Sequence, residues 1–191
     1  MRNIILASNS DARKKLLKQT GLRFRVIIPR VREDRSSKKG YRDLVIGNAL
    51  RKARAVARGL DSGVVISADT VVRVGRTLVG KPRNVEDALE TLHALSRKPQ
   101  WVYTGIAVID VDNKKTFTAY EKTKVYMCPL SKRRIMSYFK KVSPLDKAGS
   151  FDVQGPGAFF IRRIEGCYSN VVGLPLAKLA VLLEKTQTYY V

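Results

Sequence analysis

Histidine is almost absent from this 191-residue chain. His93 stands alone among the polar positions of a predicted helix, so it reads as a surface residue and no Ser/His or Cys/His pair can draw on another imidazole. Cysteine is nearly as scarce. Cys128 and Cys167 lie far apart and belong to no CxxC or Cys/His spacing, which excludes a zinc or redox motif and leaves two reduced, structural thiols. Long apolar runs are missing too. The opening MRNIILASNS holds one basic residue and a short apolar run, too brief for a signal peptide or a membrane span, so a cytoplasmic protein with no membrane partner is expected. Acidic residues are the last shortage: 16 Asp and Glu face 37 Lys and Arg, a formal net charge of +21. That balance favours anionic partners, whether nucleotides, nucleic acid or an acidic surface, and implies non-specific binding to polyanions. The composition is otherwise ordinary, and the length suits one well-buried core, so a single domain over residues 1–191 is expected.

The chain opens as strand, loop and helix. Asn3 to Ala7 reads as a buried strand, Ser8 to Ser10 as a turn with capping hydroxyls, and Ala12 to Thr20 as a helix stopped by Gly21. A strand at Phe24 to Ile28, a polar loop through Glu33 to Lys39 and a helix from Arg42 to Arg58 follow. Val64 to Ala68 is a continuous apolar run that meets Asp69-Thr70 and resumes through Val74. Gly75 to Pro82 reads as a loop, Val85 to Leu95 as an amphipathic helix, and Trp101 to Val111 with Thr116 to Tyr126 as a hairpin around Asp112-Asn113. A helix at Ser131 to Val142, a Gly-rich loop from Ser143 to Gly157, a strand at Ala158 to Ile164 and a helix at Leu174 to Lys185 complete the pattern. It implies an α/β fold.

Several constellations carry chemistry. The first strand, the Ser-rich turn and the basic helix start make an anion site in principle, with Ser8, Ser10 and Arg13 as donors beside the positive end of the helix dipole; an ordinary N-cap with a solvated basic face is the alternative. Gly75 to Lys81 matches the first seven positions of a P-loop, but Pro82 stands where a hydroxyl must meet Mg²⁺, so a P-loop is rejected. Lys81 either reaches a phosphate or is a solvated loop lysine. Asp69 is the most informative residue: an ionised carboxylate inside an apolar strand is costly unless it is paired, metal-bound or at a cleft. Glu33 and Asp34 could join it as oxygen ligands, since Mg²⁺ at phosphoryl sites takes one or two carboxylates plus substrate phosphate. In the loop of Asp146 to Gly155, glycines allow close approach of backbone to a ligand and Gln154 offers both a donor and an acceptor.

Taken in order, eight blocks resemble the Maf family of nucleoside triphosphate pyrophosphatases. They are LASNSDARKKLL (Leu6 to Leu17), Glu33 nine residues after Phe24, ALRKARAVA (Ala49 to Ala57), SADTVV (Ser67 to Val72), LVGKP (Leu78 to Pro82), YTGIAV (Tyr103 to Val108), PLDKAGSFDVQGPGAFF (Pro144 to Phe160) and YSNVVGLPL (Tyr168 to Leu176). The resemblance implies an α/β fold of the Maf and inosine triphosphatase kind, with a mixed sheet in two lobes around a central cleft, usually as a homodimer. It implies a cytoplasmic, house-cleaning hydrolase of nucleotide metabolism that uses Mg²⁺ or another divalent cation to cut the α,β-phosphate bond of a nucleoside triphosphate.

Residue by residue, the same resemblance makes Asp69 the proton acceptor that activates water and Glu33, with Asp69, the metal carboxylates. Lys52 and Lys81 match the phosphate-binding lysines, and Ser8 and Arg13 the triphosphate-binding loop. Thr70 and Gln154 match positions tied to substrate choice, and the ADT and QG blocks look like the dTTP/UTP branch. The chain departs from the family where Ser-Pro-Arg-Arg is usual: it reads Ser10-Asp11-Ala12-Arg13, so Ala12 replaces an arginine itself tied to specificity. Arg51 stands where the family has Glu before the helix lysine, adding charge near the phosphates. The rival reading, motivated by the +21 charge, is a nucleic-acid-binding or division-regulating module with a vestigial nucleotide site.

Overall fold

Hydrophobic alternation and helical periodicity settle into seven strands and six helices in the computed structural model, which describes residues 2–188 except Ser37, Lys39 and Asp146. The elements run β1 (Ile4–Leu6), α1 (Asp11–Gln19), β2 (Arg25–Val26), α2 (Tyr41–Ala57), β3 (Val64–Val74), β4 (Thr77–Val79), α3 (Val85–Leu95), β5 (Gln100–Asp110), β6 (Lys115–Met127), α4 (Lys132–Phe139), β7 (Ile161–Glu165), α5 (Tyr168–Val172) and α6 (Leu176–Glu184). The strands form one mixed sheet in the order β2-β1-β3-β5-β6-β7, with β4 paired to β3. β2, β1 and β3 are parallel, while β4 pairs with β3 and β7 with β6 in antiparallel fashion.

The chain divides into two units, one of Met1–Thr70, Tyr103–Glu121 and Gly173–Val191, the other of Val71–Val102 and Lys122–Val172. In the first unit Ile5 and Val65 of the parallel strands, Ala7 just past β1, and Ala107 and Ile109 of β5 pack against Ala49, Ala53 and Val56 of α2. Small residues on α2 let helix and sheet approach closely, and Gly105 of β5 makes the closest approach. A Cβ there would lie 2.5 Å from the backbone nitrogen of Ile46, so only glycine leaves α2 its seat. The Ser67 hydroxyl adds a hydrogen bond to the Ala49 carbonyl at 2.6 Å. In the second unit Leu92, Leu95, Ile135, Tyr138, Phe151 and Phe160 make a separate core from α3, α4 and the loop that precedes β7.

Some expected elements are different. The loop of Gly75 to Pro82 contains β4, because Gly75 at φ 57° closes a two-residue turn that lets Thr77 pair with Val74. The strand expected from Ala158 begins only at Ile161. Gly155–Phe160 is a 3₁₀ turn, in which Pro156 near the start offers no ladder donor and Gly157 packs directly on the Asp152 backbone. β2 is two residues rather than five, at the sheet edge and followed by Pro29. α4 stops at Phe139, ahead of the Ser143-Pro144 step that disfavours helical backbone. The short helix α5 has no counterpart among the expected elements, since its five residues carry no distinct periodic signal. Both cysteines are free thiols and His93 is half-exposed on α3, as expected.

Candidate active site

In the first unit the parallel strands β1 and β2 end side by side, level with Ile66 of β3, and the loops leaving them and the next residues of β3 carry the residues singled out by the sequence. β1 runs into the Ser8 turn and α1, β2 into the Glu33 loop, and β3 brings Asp69 itself. In parallel α/β sheets this edge is where ligands bind, because helix N-termini and loop backbone gather there.

Asp69 is only 4% exposed and Lys52 only 6%. Alternation along β3 turns Val65, Ser67 and Asp69 toward α2, and Lys52 projects from the facing side of that helix. The Lys52 ammonium donates to Asp69 Oδ1 at 2.7 Å and to the Ala68 carbonyl at 3.3 Å, and pairs with Glu33 Oε1 at 2.6 Å. One lysine therefore joins a buried carboxylate on the strand to a carboxylate on the loop that is 53% exposed. The ion pair with Lys52 gives this buried carboxylate a charged partner, which answers the cost that its sequence context raised.

The second oxygen of Asp69 is also engaged. Asn48, one helical turn before Lys52 and 2% exposed, donates from Nδ2 to Asp69 Oδ2 at 2.9 Å. No expectation from the sequence named Asn48. The available signal was its i, i+4 spacing from Lys52, which puts both on one face of α2. Asp34, expected as a possible ligand, is not brought to the site by its carboxylate: Oδ1 accepts from the Ser36 N–H in its own loop, while its backbone meets Asn48.

The opposite face of β3 holds Arg13 and Thr70. Arg13 donates from Nε to the Gly173 carbonyl at 2.8 Å and from Nη2 to Thr70 Oγ1 at 2.9 Å, and Thr104 Oγ1 lies 2.9 Å from the same hydroxyl. Burial pushes the Arg13 guanidinium below its usual range, and the charges of Asp69 and Glu33 oppose that shift, which puts all three groups in one electrostatic neighbourhood. Ser8 is buried, with its hydroxyl accepting from the Ser10 N–H, and Ser10 caps α1 through the Arg13 N–H. Ala12 is half-buried in the first turn of α1. Asp11 turns to Lys14 at 3.0 Å, whose ammonium holds the exposed carboxyl below its usual range, so the new negative charge is partnered along the helix.

Lys81 and Gln154 belong to the second unit. Lys81 is exposed just past β4, and the Gly149 N–H donates to the Gly80 carbonyl at 3.2 Å, joining its turn to the Gly-rich loop. Gln154 is half-buried, with its N–H donating to Asp152 Oδ1 at 3.0 Å. Asp146 of that loop, and Ser37 and Lys39 of the Glu33 loop, lie outside the described residues. Among the described residues no cluster of three or more His, Cys, Asp or Glu side chains could hold a metal ion. The pair Glu33 and Asp69 is the convergent oxygen set, and two carboxylates are what Mg²⁺ employs where phosphates and water complete its shell, so the residues fit that cation.

The wider chain is similar to known proteins over nearly its whole length. It is 45% identical over 185 residues to the dTTP/UTP pyrophosphatase of Pelotomaculum thermopropionicum, covering 97% of each chain. It is 44% identical over 179 residues to the dTTP/UTP pyrophosphatase of Bacillus anthracis, covering 94% of this chain and 93% of that one. A solved structure of the Staphylococcus aureus Ham1 protein aligns with 67% of this chain and 73% of its own at 18% identity and a TM-score of 0.47. The family description "Maf-like protein" matches residues 3–186, a span that takes in every side chain named above, and the chain thus belongs to the Maf family.

Proposed function

We propose that this chain hydrolyses nucleoside triphosphates between the α- and β-phosphates, releasing a monophosphate and pyrophosphate, with dTTP, UTP or modified pyrimidine nucleotides as the preferred class. The observation that carries the reading is the buried Asp69 carboxylate held between Lys52 and Asn48, within a chain 44–45% identical to dTTP/UTP pyrophosphatases. The rival reading as a basic binding module draws no support from these relatives.

Glu33 and Asp69 would hold Mg²⁺, which when bound supplies charge neutralisation at the phosphoryl oxygens. Asp69 takes the proton of the attacking water, a role suited to a carboxylate whose orientation is set by hydrogen bonds to both oxygens. Lys52 and Arg13 supply positive charge, and the N-terminus of α1 with Ser8 supplies the neutral donors a polyphosphate needs. Lys81 as a phosphate contact, and Ala12, Thr70 and Gln154 as determinants of base preference, are assigned from the family motifs residue by residue. Thr70 is held by Arg13 and Thr104, so any contact it makes is made from a fixed position. A cytoplasmic homodimer is part of the same proposal, and light scattering tests the assembly; no helix among the described residues is long and apolar enough to cross a membrane.

The test is a panel of canonical and modified nucleoside triphosphates with Mg²⁺, assayed for pyrophosphate and monophosphate. Asp69→Asn lowers turnover by roughly 10²–10⁴-fold while the thermal unfolding profile stays that of a folded protein. Release of diphosphate plus phosphate, or near-normal turnover in Asp69→Asn, overturns the reading.

A further inference from the structure

Asn48 is an amide buried in the first unit with all of its hydrogen-bonding capacity in use. A side-chain amide offers two N–H donors and an oxygen with two lone pairs. Nδ2 donates to Asp69 Oδ2 and to the Asp34 carbonyl, each at 2.9 Å. Oδ1 accepts from the Asp34 N–H at 2.8 Å and from Arg51 Nη1 at 2.6 Å. Reversing the amide would set Oδ1 against the Asp69 carboxylate and the Asp34 carbonyl, two acceptors, so its orientation is determined by its surroundings. We propose that Asn48 is a positioning residue for the phosphoanhydride cleavage, fixing the plane of the Asp69 carboxylate and clamping the Glu33-bearing loop to α2 beside it.

The geometry supports this on three counts. Lys52 takes Asp69 Oδ1 and Asn48 takes Oδ2, so a rotation of the carboxylate about its Cβ–Cγ bond breaks both contacts at once. The clamp on Asp34 is made to backbone on both sides, donor and acceptor, so it ties down main chain one residue from Glu33 rather than a mobile side-chain tip. The Arg51 guanidinium, which also donates to the Arg32 carbonyl at 3.3 Å, closes over the same oxygen from the solvent side. No other side chain of this size meets that demand. Aspartate keeps the shape but offers no donors and sets a second carboxylate against Asp69; alanine removes all four bonds; glutamine carries the amide one methylene too far.

The inference rests on the pyrophosphatase reading, and the experiment separates the two. Wild type, Asn48→Ala, Asn48→Asp, Asp69→Asn and the double variant Asn48→Ala/Asp69→Asn are each checked for fold by thermal unfolding. They are then assayed for kcat and KM with the best triphosphate of the panel, and for binding of its α,β-methylene analogue. A positioning role predicts a kcat for Asn48→Ala at least about tenfold below wild type with analogue affinity within about threefold. Asn48→Asp, equal in size, has a kcat as low or lower. In the Asp69→Asn background, removal of Asn48 changes the residual rate less than about threefold, because the group it positions is already disabled. A kcat within threefold of wild type in a folded Asn48→Ala or Asn48→Asp variant overturns the proposal, as does a full additional loss in the double variant. If Asn48→Ala does not fold, the isosteric Asn48→Asp, which keeps the acceptor for Asp34 and Arg51, decides the matter. Absence of pyrophosphate from wild type overturns the underlying activity instead.

Discussion

Replacing Lys52 by Met tests the electrostatic core of the site without opening a hole. Methionine keeps an unbranched stem of similar reach, so what is lost is the ammonium. In the structure that ammonium sits 2.7 Å from a carboxylate oxygen of Asp69 and 2.6 Å from one of Glu33. Two unit charges at 2.7 Å attract by about 6 kcal/mol at an effective dielectric of 20, before the cost of desolvating both. What the variant measures is the price of a buried carboxylate left without its partner, about 3–5 kcal/mol. Glu33 adds little because it is 53% exposed; water takes over its solvation, and such a pair contributes at most about 1 kcal/mol. The expected loss is therefore dominated by Asp69. For a chain of this length it lowers Tm by roughly 6–20 °C, and it is read more directly as a fall in the urea midpoint at unchanged m. The second arm is Lys52→Met/Asp69→Asn, in which the orphaned charge is replaced by a neutral amide of the same shape. Most of the lost stability returns in that double variant although both are catalytically dead. A loss below about 1 kcal/mol in the single variant, or a double variant no more stable than the single, would refute the reasoning.

Two further outcomes follow from the first unit. Asp110 is buried against the Arg2 guanidinium, which holds its carboxyl far below the usual carboxylate range with help from two Asn113 donors. A depressed folded-state pKa means stability that is complete above pH about 4 and lost as pH falls below it. Asp110→Asn should cost about 2 kcal/mol at pH 7 in urea unfolding, with the gap from wild type narrowing toward pH 2.5; a gap equal at both pH values contradicts the assignment. Gly105→Ala forces a methyl into the α2 backbone near Ile46 and should cost about 1–3 kcal/mol. Because Asn48 and Lys52 ride on that helix, kcat falls with it, and a variant unchanged in both respects would mean that the helix yields freely.

Much of this was readable in local pattern. The apolar run that became β3 spans Val64–Val74 as expected, and α3 runs Val85–Leu95 as its stripe required. Both are long enough for side-chain periodicity to dominate the backbone's choice. β4 and α5, three and five residues long, were not, since so short a stretch carries no distinct period, and β2 was expected three residues longer than it is. Of the candidate site, Asp69 announced itself because an ionised group in an apolar strand costs free energy wherever the strand lies.

What surrounds Asp69 was decided by tertiary structure alone. Lys52 is 17 residues away and Asn48 is 21, and their spacing establishes only that they share a helix face. That the face turns to β3 depends on the close seat of α2 at Gly105. Arg13 reaches Thr70 and Gly173 across 57 and 160 residues, and Asp34 turns its carboxylate away while Glu33 beside it turns in. Sequence determined the identity of the charged groups and the elements that bear them, because propensity and burial cost act over one or two turns of chain. Their mutual distances came only with the fold, because hydrogen bonds and ion pairs depend on ångström-scale approach between segments whose separation no local pattern encodes.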